Sequence, residues 1–411
     1  MSTAPGPGLG VIAHLPRLRR DPLGSLLAYH REYGDIVRLG AGALTVHLLG
    51  HPSHAEHVLR LHHRNYDRQT RSAAAVRLVT GESLVTNDGD EWRRHRLLMQ
   101  PLFNKDALSS LSSIVVDATN AMIDQWRPRR DVDLAVEMMK LTSTIACRAF
   151  FGTDVGDDLD RLMSVILEEA YARATSVFGW GRPPRDFERA CADVRALVER
   201  ILARGDSPLL SALRTLSPDE LRNEMIALLL AGHETTANAL AWTFALIEQW
   251  RTGNPASPND HESLREDRQD CLSSAFTTAA VQEAMRLYPP VWIVERRAIE
   301  DDVIHGFDIP ADSIVYISPY VLHRHRDFWP DPERFDPSRF VNGPRNPAYL
   351  PFGSGPHACL GVAFAMIEAP LVVQTVRERC IIVLGNTKIE PRAWITLRHR
   401  NGVPVQVIVN R

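Results

Sequence analysis

One stretch of this sequence, residues 351–361, concentrates residue types suited to metal chemistry: a single cysteine, Cys359, among three glycines and two prolines. Glycine and proline at this density exclude a helix or a central strand, so we expect a shaped loop that fixes the cysteine. An apolar run of good helix formers begins at Val362. Cys359 should therefore lie just before a helix N-terminus, where the macrodipole and free N–H groups favour a thiolate. Because a helix end compensates a buried thiolate only in part, a metal is expected beside it, and iron is the usual choice.

The same loop closely resembles the haem-binding loop of the cytochrome P-450 monooxygenases. Phe352, Gly355, His357, Cys359 and Gly361 fill every fixed position of that motif. The resemblance implies haem b (iron protoporphyrin IX) as cofactor, the Cys359 thiolate as its axial ligand, and the other four residues in cofactor binding. The alternative is a buried free cysteine beside a glycine turn, a common fate of an isolated cysteine. Five positions in register favour the haem interpretation.

A second candidate group lies in the middle of a long apolar segment. Ser217 to Glu220 form a capping box with proline at the first helical position, which predicts one helix running to about Trp250. Its polar centre, Gly232 to Thr236, would be costly in lipid, so a transmembrane helix is disfavoured. The glycine and the threonines should bend the helix, because threonine can bond back to a carbonyl one turn earlier.

This polar centre also resembles the oxygen-binding motif of the same family, at Ala231, Gly232, Glu234 and Thr235. The resemblance implies that dioxygen binds beside Ala231 and Gly232, while the acid and the threonine deliver protons. The alternative is a helix kink with a solvated glutamate, which the flanking leucines and alanines disfavour. We therefore predict that Glu234 and Thr235 form a catalytic proton relay.

Two arginines are candidates for contacts with the haem propionates. Trp92 and Arg96 are four residues apart and share one face of a predicted helix. Taken alone, this is an arginine on an amphipathic helix, but the pair resembles the family's Trp-x-x-x-Arg pattern, which implies a charge-assisted propionate contact. The resemblance implies a second such arginine, and the spacing to Gly306 favours Arg296 over Arg297.

Glu283 and Arg286 lie three residues apart on one face of another predicted helix. Such pairs are usually surface contacts of small energy. Here they resemble the family's Glu-x-x-Arg motif, and residues 331–340 resemble the segment that completes a buried triad with it. The resemblance implies a structural network of Glu283, Arg286 and Arg339, with Arg334 as the alternative third member.

The substrate pocket is placed by analogy with the family alone, which uses segments corresponding to 67–87, 170–183 and 291–294. On such segments and a C-terminal turn, the apolar and aromatic candidates are Phe178, Trp180, Trp292, Val294 and Trp394. A wall of this kind suits a medium-sized hydrophobic or aromatic molecule, which we expect to belong to bacterial specialised metabolism.

The composition is that of a globular protein, with 411 residues, 45% hydrophobic and 24% charged. A net charge of -3 argues against nucleic-acid binding. The five cysteines are scattered without a CxxC pair, so we expect them to be reduced and the protein to be cytoplasmic. Residues 1–20 are interpreted as a Pro/Gly-rich leader without a signal peptide or membrane anchor, and one domain is expected over residues 1–411.

Local patterns predict further elements along the chain. They indicate a helix from Pro22 to about Tyr33, a hairpin over 36–49, a helix over 52–61, a long mobile loop over 64–87 and a closing hairpin around Asn401-Gly402. Together with the resemblance, these elements imply the cytochrome P-450 fold: mainly α with a small β-rich lobe, with haem between the long central helix and the cysteine loop.

The resemblance implies a monooxygenase that activates O2 to oxidise, in the simplest case hydroxylate, a hydrophobic small molecule. The segment after Cys359 is too short for a reductase module, so electrons should come from a separate ferredoxin or flavodoxin with its reductase. Arg93, Arg94 and residues 323–326 should make the cysteine side electropositive for an acidic donor. The alternatives are oxidative C–N or C–C coupling, a peroxide-driven enzyme, and a non-catalytic haem sensor or carrier; the last two do not need the Glu234-Thr235 pair.

Overall fold

Helices dominate the computed structural model, which describes residues 2–7, 11–40, 45–104, 106–108, 110–126, 129–154, 159–176, 181–253, 274–385 and 388–410. Within these ranges the α-helices are α1 (Val11–Arg20), α2 (Pro22–Tyr33), α3 (Pro52–Glu56), α4 (Arg71–Thr80), α5 (Gly89–Met99), α6 (Leu111–Gln125), α7 (Leu134–Phe151), α8 (Leu159–Ala174), α9 (Arg185–Arg204), α10 (Pro208–Leu213), α11 (Pro218–Gly253), α12 (Ser274–Leu287), α13 (Pro319–Leu322) and α14 (Val362–Arg379). A π-helix over His57–Leu61 continues α3. The predicted mainly α architecture is confirmed.

Short strands form the predicted β-rich lobe and three smaller sheets. The strands are β1 (Ile36–Leu39), β2 (Val46–Leu49), β3 (Tyr66–Asp67), β4 (Arg129–Asp133), β5 (Val294–Ala298), β6 (Asp302–Ile304), β7 (Phe307–Ile309), β8 (Ile314–Ile317), β9 (Cys380–Leu384), β10 (Pro391–Ala393), β11 (Leu397–His399) and β12 (Pro404–Val409). The largest sheet has the order β1-β2-β8-β5-β3, in which the predicted N-terminal hairpin pairs with the strands near Arg296. This sheet holds Arg296 at the edge of the site described below.

The longest helix, α11, crosses the core and carries most of the candidate residues. Its start is a true capping box: Ser217 N donates to Glu220 Oε2 at 2.9 Å, and Glu220 N donates to Ser217 Oγ at 3.4 Å. The helix is uninterrupted from Pro218 to Gly253, as predicted, and it packs against α7 and α12. Within the described ranges, no helix combines the length and apolarity needed to cross a membrane.

Two elements arise where the sequence predicted none. Half of the proposed leader is the helix Val11–Arg20. The loop predicted over 64–87 contains the helix Arg71–Thr80, in which the Thr70 hydroxyl accepts from Ala73 N at 3.2 Å. That helix buries few residues, among them Ala75 and Val79, so its apolar period is too weak to see in the sequence.

The C-terminal hairpin was predicted at the wrong turn. Residues 391–393 pair with 397–399, so the hairpin closes before Asn401-Gly402. The strand after Gly402, Pro404–Val409, instead pairs with Arg129–Asp133 and Cys380–Leu384. Its partners are remote in sequence, so a local alternating pattern could not identify them.

Candidate active site

A cavity of about 430 Å³ lies between α11, α5 and the cysteine loop, defined as residues 351–361. Its wall includes small and hydroxyl-bearing side chains of α11, three arginines, the cysteine loop itself and a set of apolar side chains from several elements. The fold thus brings together candidate groups that are far apart in the sequence, in the region between central helix and cysteine loop where a haem was expected.

The cysteine loop presents Cys359 to this cavity. Cys359 N donates to Phe352 O at 2.9 Å, and Cys359, alone among the four cysteines that the structure describes, is exposed, although it faces an internal cavity rather than the outer surface. Gly355 has φ +72°, and a Cβ there would lie 1.9 Å from Leu59 O, so this position requires glycine. Burial raises the pKa of the Cys359 thiol, while the Gly361 N–H and the positive charge of Arg96 oppose that shift. A bound cation would therefore complete the stabilisation of a thiolate.

Three arginines, Arg68, Arg96 and Arg296, line the cavity. Arg96 Nη1 donates to Ala358 O at 2.9 Å, and Arg296 Nη1 donates to Glu295 O at 2.7 Å. Burial, followed by repulsion from Arg296, lowers the pKa of Arg68 to about 9, and burial lowers the pKa of Arg96 and of Arg296 as well. So much buried positive charge makes this part of the wall a site for an anion.

Two aromatic groups complete the arginine side of the cavity. The rings of Trp92 and His357 pack at an interplanar angle of 40° with centroids 4.1 Å apart, and both line the cavity. A guanidinium nitrogen of Arg68 lies against His357 Nδ1. The predicted pair on α5, Trp92 and Arg96, therefore meets the cysteine loop directly.

In contrast to the arginine side of the cavity, the part of the wall formed by the middle of α11 carries no charged side chain among the described residues. Ala231, Gly232, Thr235 and Thr236 line the cavity, and the Thr235 hydroxyl donates to Ala231 O at 2.7 Å. A Cβ on Gly232 would lie 2.7 Å from the Phe150 ring, so glycine allows α7 to pack closely here. The back-bonded threonine is the local feature that the sequence predicted.

Glu234, by contrast, does not line the cavity. Its side chain is 2% exposed, and its carboxylate accepts from Thr396 Oγ1 and pairs with Arg398 Nε. Asn238 Nδ2 also donates to Thr396 Oγ1, at 3.2 Å. The acid is thus held by the β10–β11 hairpin, which the motif on α11 gave no means of predicting.

Glu283 and Arg286 form a fully buried ion pair in α12. Arg286 Nε and Nη2 each donate to the Glu283 carboxylate at 2.7 Å, and both side chains are 0% exposed. Arg286 also donates to the carbonyls of His323, Pro332 and Arg334. Arg339 Nε lies 3.6 Å from Glu283 Oε1. Arg334, the alternative third member, contributes its carbonyl and not its side chain.

The predicted substrate-pocket residues divide into three groups. Val294 lines the cavity, together with Pro290 and Val291. Trp292 and Trp394 do not: Trp292 is 6% exposed and its indole Nε1 donates to Trp394 O at 2.8 Å, so these residues hold the hairpin in place. A substrate-binding role for Trp292 and Trp394 stays a prediction. Phe178 and Trp180 lie outside the described residues.

The predicted electropositive surface at residues 323–326 is largely contradicted by the burial of these residues. His323, Arg324 and His325 are at most 6% exposed, and Arg324 pairs with Glu333 at 3.0 Å. Arg326 is exposed, but one cation is not a patch. Histidines and arginines in a polar-looking run were taken for surface residues, whereas tertiary packing encloses them.

Three cavity or near-cavity residues were missed: Arg68, Glu224 and Glu368. Arg68 lay in a segment predicted as a loop, whereas Glu224 is an acid entering the apolar run of α11 and lines the cavity. Glu368 is fully buried on α14, and burial raises its pKa well above its usual range. An acid inside an apolar helical run is the signal that could have identified the two glutamates.

Comparisons with known proteins agree with this geometry. The family model for cytochrome P-450 matches residues 4–180 and 192–392. Cyclooctatin synthase of Streptomyces melanosporofaciens is 32% identical over an alignment of 432 positions, which covers 96% of this chain and 93% of that protein. Cyclooctat-9-en-7-ol 5-monooxygenase of the same organism is 30% identical over an alignment of 411 positions, which covers 92% of this chain and 88% of that protein.

Solved structures lead to the same family. The crystal structure of CYP175A1 from Thermus thermophilus matches with a TM-score of 0.85 at 27% identity, covering 98% of this chain and 99% of that chain. A 6-coordinated cytochrome P-450 from the same genus and species matches with a TM-score of 0.80, covering 94% of this chain and 98% of that chain. With the family model spanning most of its length and these relatives beside it, this chain belongs to the cytochrome P-450 family and is a cytochrome P-450 monooxygenase.

Proposed function

We propose that the cavity binds haem b with the Cys359 thiolate as the axial iron ligand. The observation that carries the proposal is the position of Cys359, an exposed cysteine that lines the same cavity as Ala231, Gly232 and Thr235. Thiolate-ligated haem supplies the activation of dioxygen for insertion of one oxygen atom into a substrate.

The residues of the cavity wall fit such a group. Haem b carries two propionate carboxylates, and the guanidinium groups of Arg68, Arg96 and Arg296 line the cavity. Burial makes the positive charge of these groups unfavourable. Propionates would relieve that cost through charge-assisted hydrogen bonds. Trp92 and His357 would bind the same edge, while Phe352, Gly355 and Gly361 shape the loop around the thiolate.

Proton handling falls to α11. We assign Thr235 to the hydrogen bonds that position protons at the oxygen-binding face beside Ala231 and Gly232, since its hydroxyl lies in the cavity wall. Glu234 would resupply the proton, and it can do so only when its carboxylate leaves Arg398 and Thr396. Glu283, Arg286 and Arg339 are assigned a structural role.

The substrate proposed is a medium-sized hydrophobic molecule of bacterial specialised metabolism. Support comes from the apolar wall around Leu228, Val291 and Val294 and from the two Streptomyces relatives, which are named cyclooctatin synthase and cyclooctat-9-en-7-ol 5-monooxygenase. Electrons would come from a separate ferredoxin or flavodoxin with its reductase.

The ligand assignment is tested by the spectrum of the reduced protein with carbon monoxide. Wild-type protein and Cys147→Ser, which changes a fully buried cysteine on α7, should show the red-shifted Soret band of thiolate-ligated haem. Cys359→Ser should lose that band. Retention of the band in Cys359→Ser would overturn the assignment.

A further inference from the structure

A buried acid remains in the cavity wall that the proposed proton relay does not use. Glu224 lies on α11 at a spacing that places it on the same face as Leu228, Ala231 and Thr235, and all four line the cavity. Glu234, the acid of the motif, is instead held by the β10–β11 hairpin outside the cavity wall. Among the described residues, Glu224 is thus the carboxylate that α11 contributes to the wall.

The protein itself uses only one oxygen of this carboxylate. Glu224 Oε1 accepts from Leu84 N at 2.7 Å and lies 2.5 Å from His95 Nδ1. The ring of His95 is fixed in turn, because Glu220 Oε1 and Arg94 Nη2 lie 3.4 Å and 3.0 Å from its other nitrogen. The carboxylate is therefore oriented from two sides, by α5 and by the segment that contains Leu84.

The second oxygen, Glu224 Oε2, is buried and has no hydrogen-bond partner among the described residues. A buried acceptor without a partner is unfavourable, and charged acceptors are the most unfavourable of all. The contacts with Leu84 N and His95 use Oε1 alone, so the described chain gives Oε2 no role. A donor supplied by a ligand in the cavity would satisfy this oxygen.

The surroundings restrict the kind of donor. Leu84, Val85, Ala227 and Leu228 make the adjoining wall apolar, which suits a hydrocarbon body with one polar group. The hydrogen bond to Glu224 raises the pKa of His95, which favours an imidazolium beside the carboxylate. Because that pair carries little net charge, it offers no advantage to an ammonium over a neutral hydroxyl.

We infer that Glu224 is a substrate-binding residue that accepts a hydrogen bond from a hydroxyl group on an otherwise apolar substrate. The inference rests on the proposed function of this cavity as the substrate and cofactor site. It also predicts where oxidation occurs: eleven positions separate Glu224 from Thr235, about 16 Å of helix. The carbon that is oxidised therefore lies far from the anchored hydroxyl.

The test compares alcohols with ketones of the same size, since a ketone accepts but does not donate. Cyclododecanol and menthol are titrated against cyclododecanone and menthone by calorimetry, with cyclododecane as the hydrocarbon reference. Wild-type holoprotein should bind each alcohol about tenfold more tightly than its ketone, the difference expected for a hydrogen bond to a charged acceptor.

Glu224→Gln replaces the unpartnered acceptor oxygen by a hydrogen-bond donor. The glutamine oxygen can still accept from Leu84 N and His95, which turns its NH2 group toward the unpartnered side, so the ketone should now bind at least as well as the alcohol. Asp219→Asn is the matched control: Asp219 lies in the first turn of α11, outside the cavity wall, its side chain is 94% exposed, and it pairs with Arg222. That variant should keep the wild-type preference for alcohols.

Equal affinity of wild-type protein for alcohol, ketone and hydrocarbon, or no binding of any of them, overturns the inference even if Glu224→Gln does not fold. An unchanged alcohol preference in folded Glu224→Gln overturns it as well. Failure of the proposed function has a different signature, namely loss of the thiolate Soret band in the reduced wild-type protein with carbon monoxide, which calorimetry does not report.

Discussion

Two regions of this protein bury arginine side chains and satisfy them in different ways. In α12, the donors of Arg286 reach the Glu283 carboxylate and three backbone carbonyls. Around the cavity, Arg68 lies 3.8 Å from Asp88, and no carboxylate of the described chain lies within ion-pair distance of Arg96 or Arg296. The first region is complete within the protein, whereas the second has an excess of positive charge.

The difference separates residues that hold the fold from residues that await a ligand. A complete buried pair loses stability when either partner is removed, because the other charge is stranded. An incomplete site behaves in the opposite way: removing one of its like charges costs the ligand-free protein little but weakens binding of the anion that would neutralise it. Variants in the two regions should therefore fail by different measurements.

The largest effect is expected for Glu283→Ala. It leaves Arg286 buried without its carboxylate and frees Asp336 N, which donates to Glu283 Oε1 at 2.9 Å. Loss of a partner from a buried pair costs about 3 to 5 kcal/mol, comparable with the stability of a whole domain. The yield of folded protein and its denaturant midpoint should both fall sharply.

The matched control for this variant is Glu91→Ala, which removes another i,i+3 partner of an arginine, Arg94. Its side chain is 63% exposed, so the loss should be below about 1 kcal/mol. Equal effects of Glu283→Ala and Glu91→Ala would mean that the α12 pair is an ordinary surface contact and that the contrast between the two regions does not exist.

The next effect is a loss of stability in acid centred on His323, which joins the two regions. His323 Nδ1 lies 2.9 Å from Arg286 O, and Nε2 accepts from Leu350 N at the entrance to the cysteine loop. Burial lowers the pKa of His323 to about 3. Since the folded pKa lies below the unfolded value of about 6.5, the contribution is complete above that pH and is lost as pH falls toward 3.

The expected slope for this one group approaches about 1.4 kcal/mol per pH unit, or roughly 2 kcal/mol between pH 6.5 and 5. Unfolding free energies of wild-type protein and His323→Gln across this range isolate it, because the other buried histidines titrate in both. Parallel curves for the two proteins would show that His323 protonates without cost and does not link the network to the loop.

A smaller effect is expected from Arg96→Gln. Loss of one charge-assisted hydrogen bond should weaken haem retention about tenfold, with little change in the stability of haem-free protein, because Arg96 has no carboxylate partner to strand. Haem transfer to an excess of apomyoglobin measures retention. Arg93→Gln, an exposed neighbour on α5, should retain haem like wild type. A destabilised haem-free Arg96→Gln with normal haem retention would place Arg96 with the structural network.

Spacing along the chain predicts which side chains lie together where a group is contained in one continuous stretch. The cysteine loop, the Trp92-Arg96 pair and the Glu283-Arg286 pair are each set by one helix or one loop, so spacing alone brings their members together. The N-terminal hairpin follows from a similarly local pattern, whereas the mainly α fold follows from helical patterns together with the family resemblance.

The contacts that local patterns do not predict depend on partners that are distant in the chain. Glu234 matches its motif, but its carboxylate direction is decided by Thr396 and Arg398, which are more than 150 residues away. His323 and Arg324 form part of a polar run in the sequence, yet tertiary packing buries them. Burial of polar residues is a property of the assembled core and has no local period.

The smallest expected effect is that of Arg339→Gln, which tests where the buried network around Glu283 and Arg286 ends. Arg339 Nε is 3.6 Å from Glu283 Oε1, and its Nη2 donates to Pro330 O at 2.6 Å. Its side chain remains 14% exposed, so Arg339→Gln exchanges one long ion-pair contact and a carbonyl bond for solvation by water. We expect a loss of about 1 kcal/mol in the free energy of unfolding, well below that of Arg286→Gln, measured by denaturant titration of both variants. If the two losses were equal, Arg339 would be a full member of the buried network, and the complete region would extend from α12 to residues 337–340.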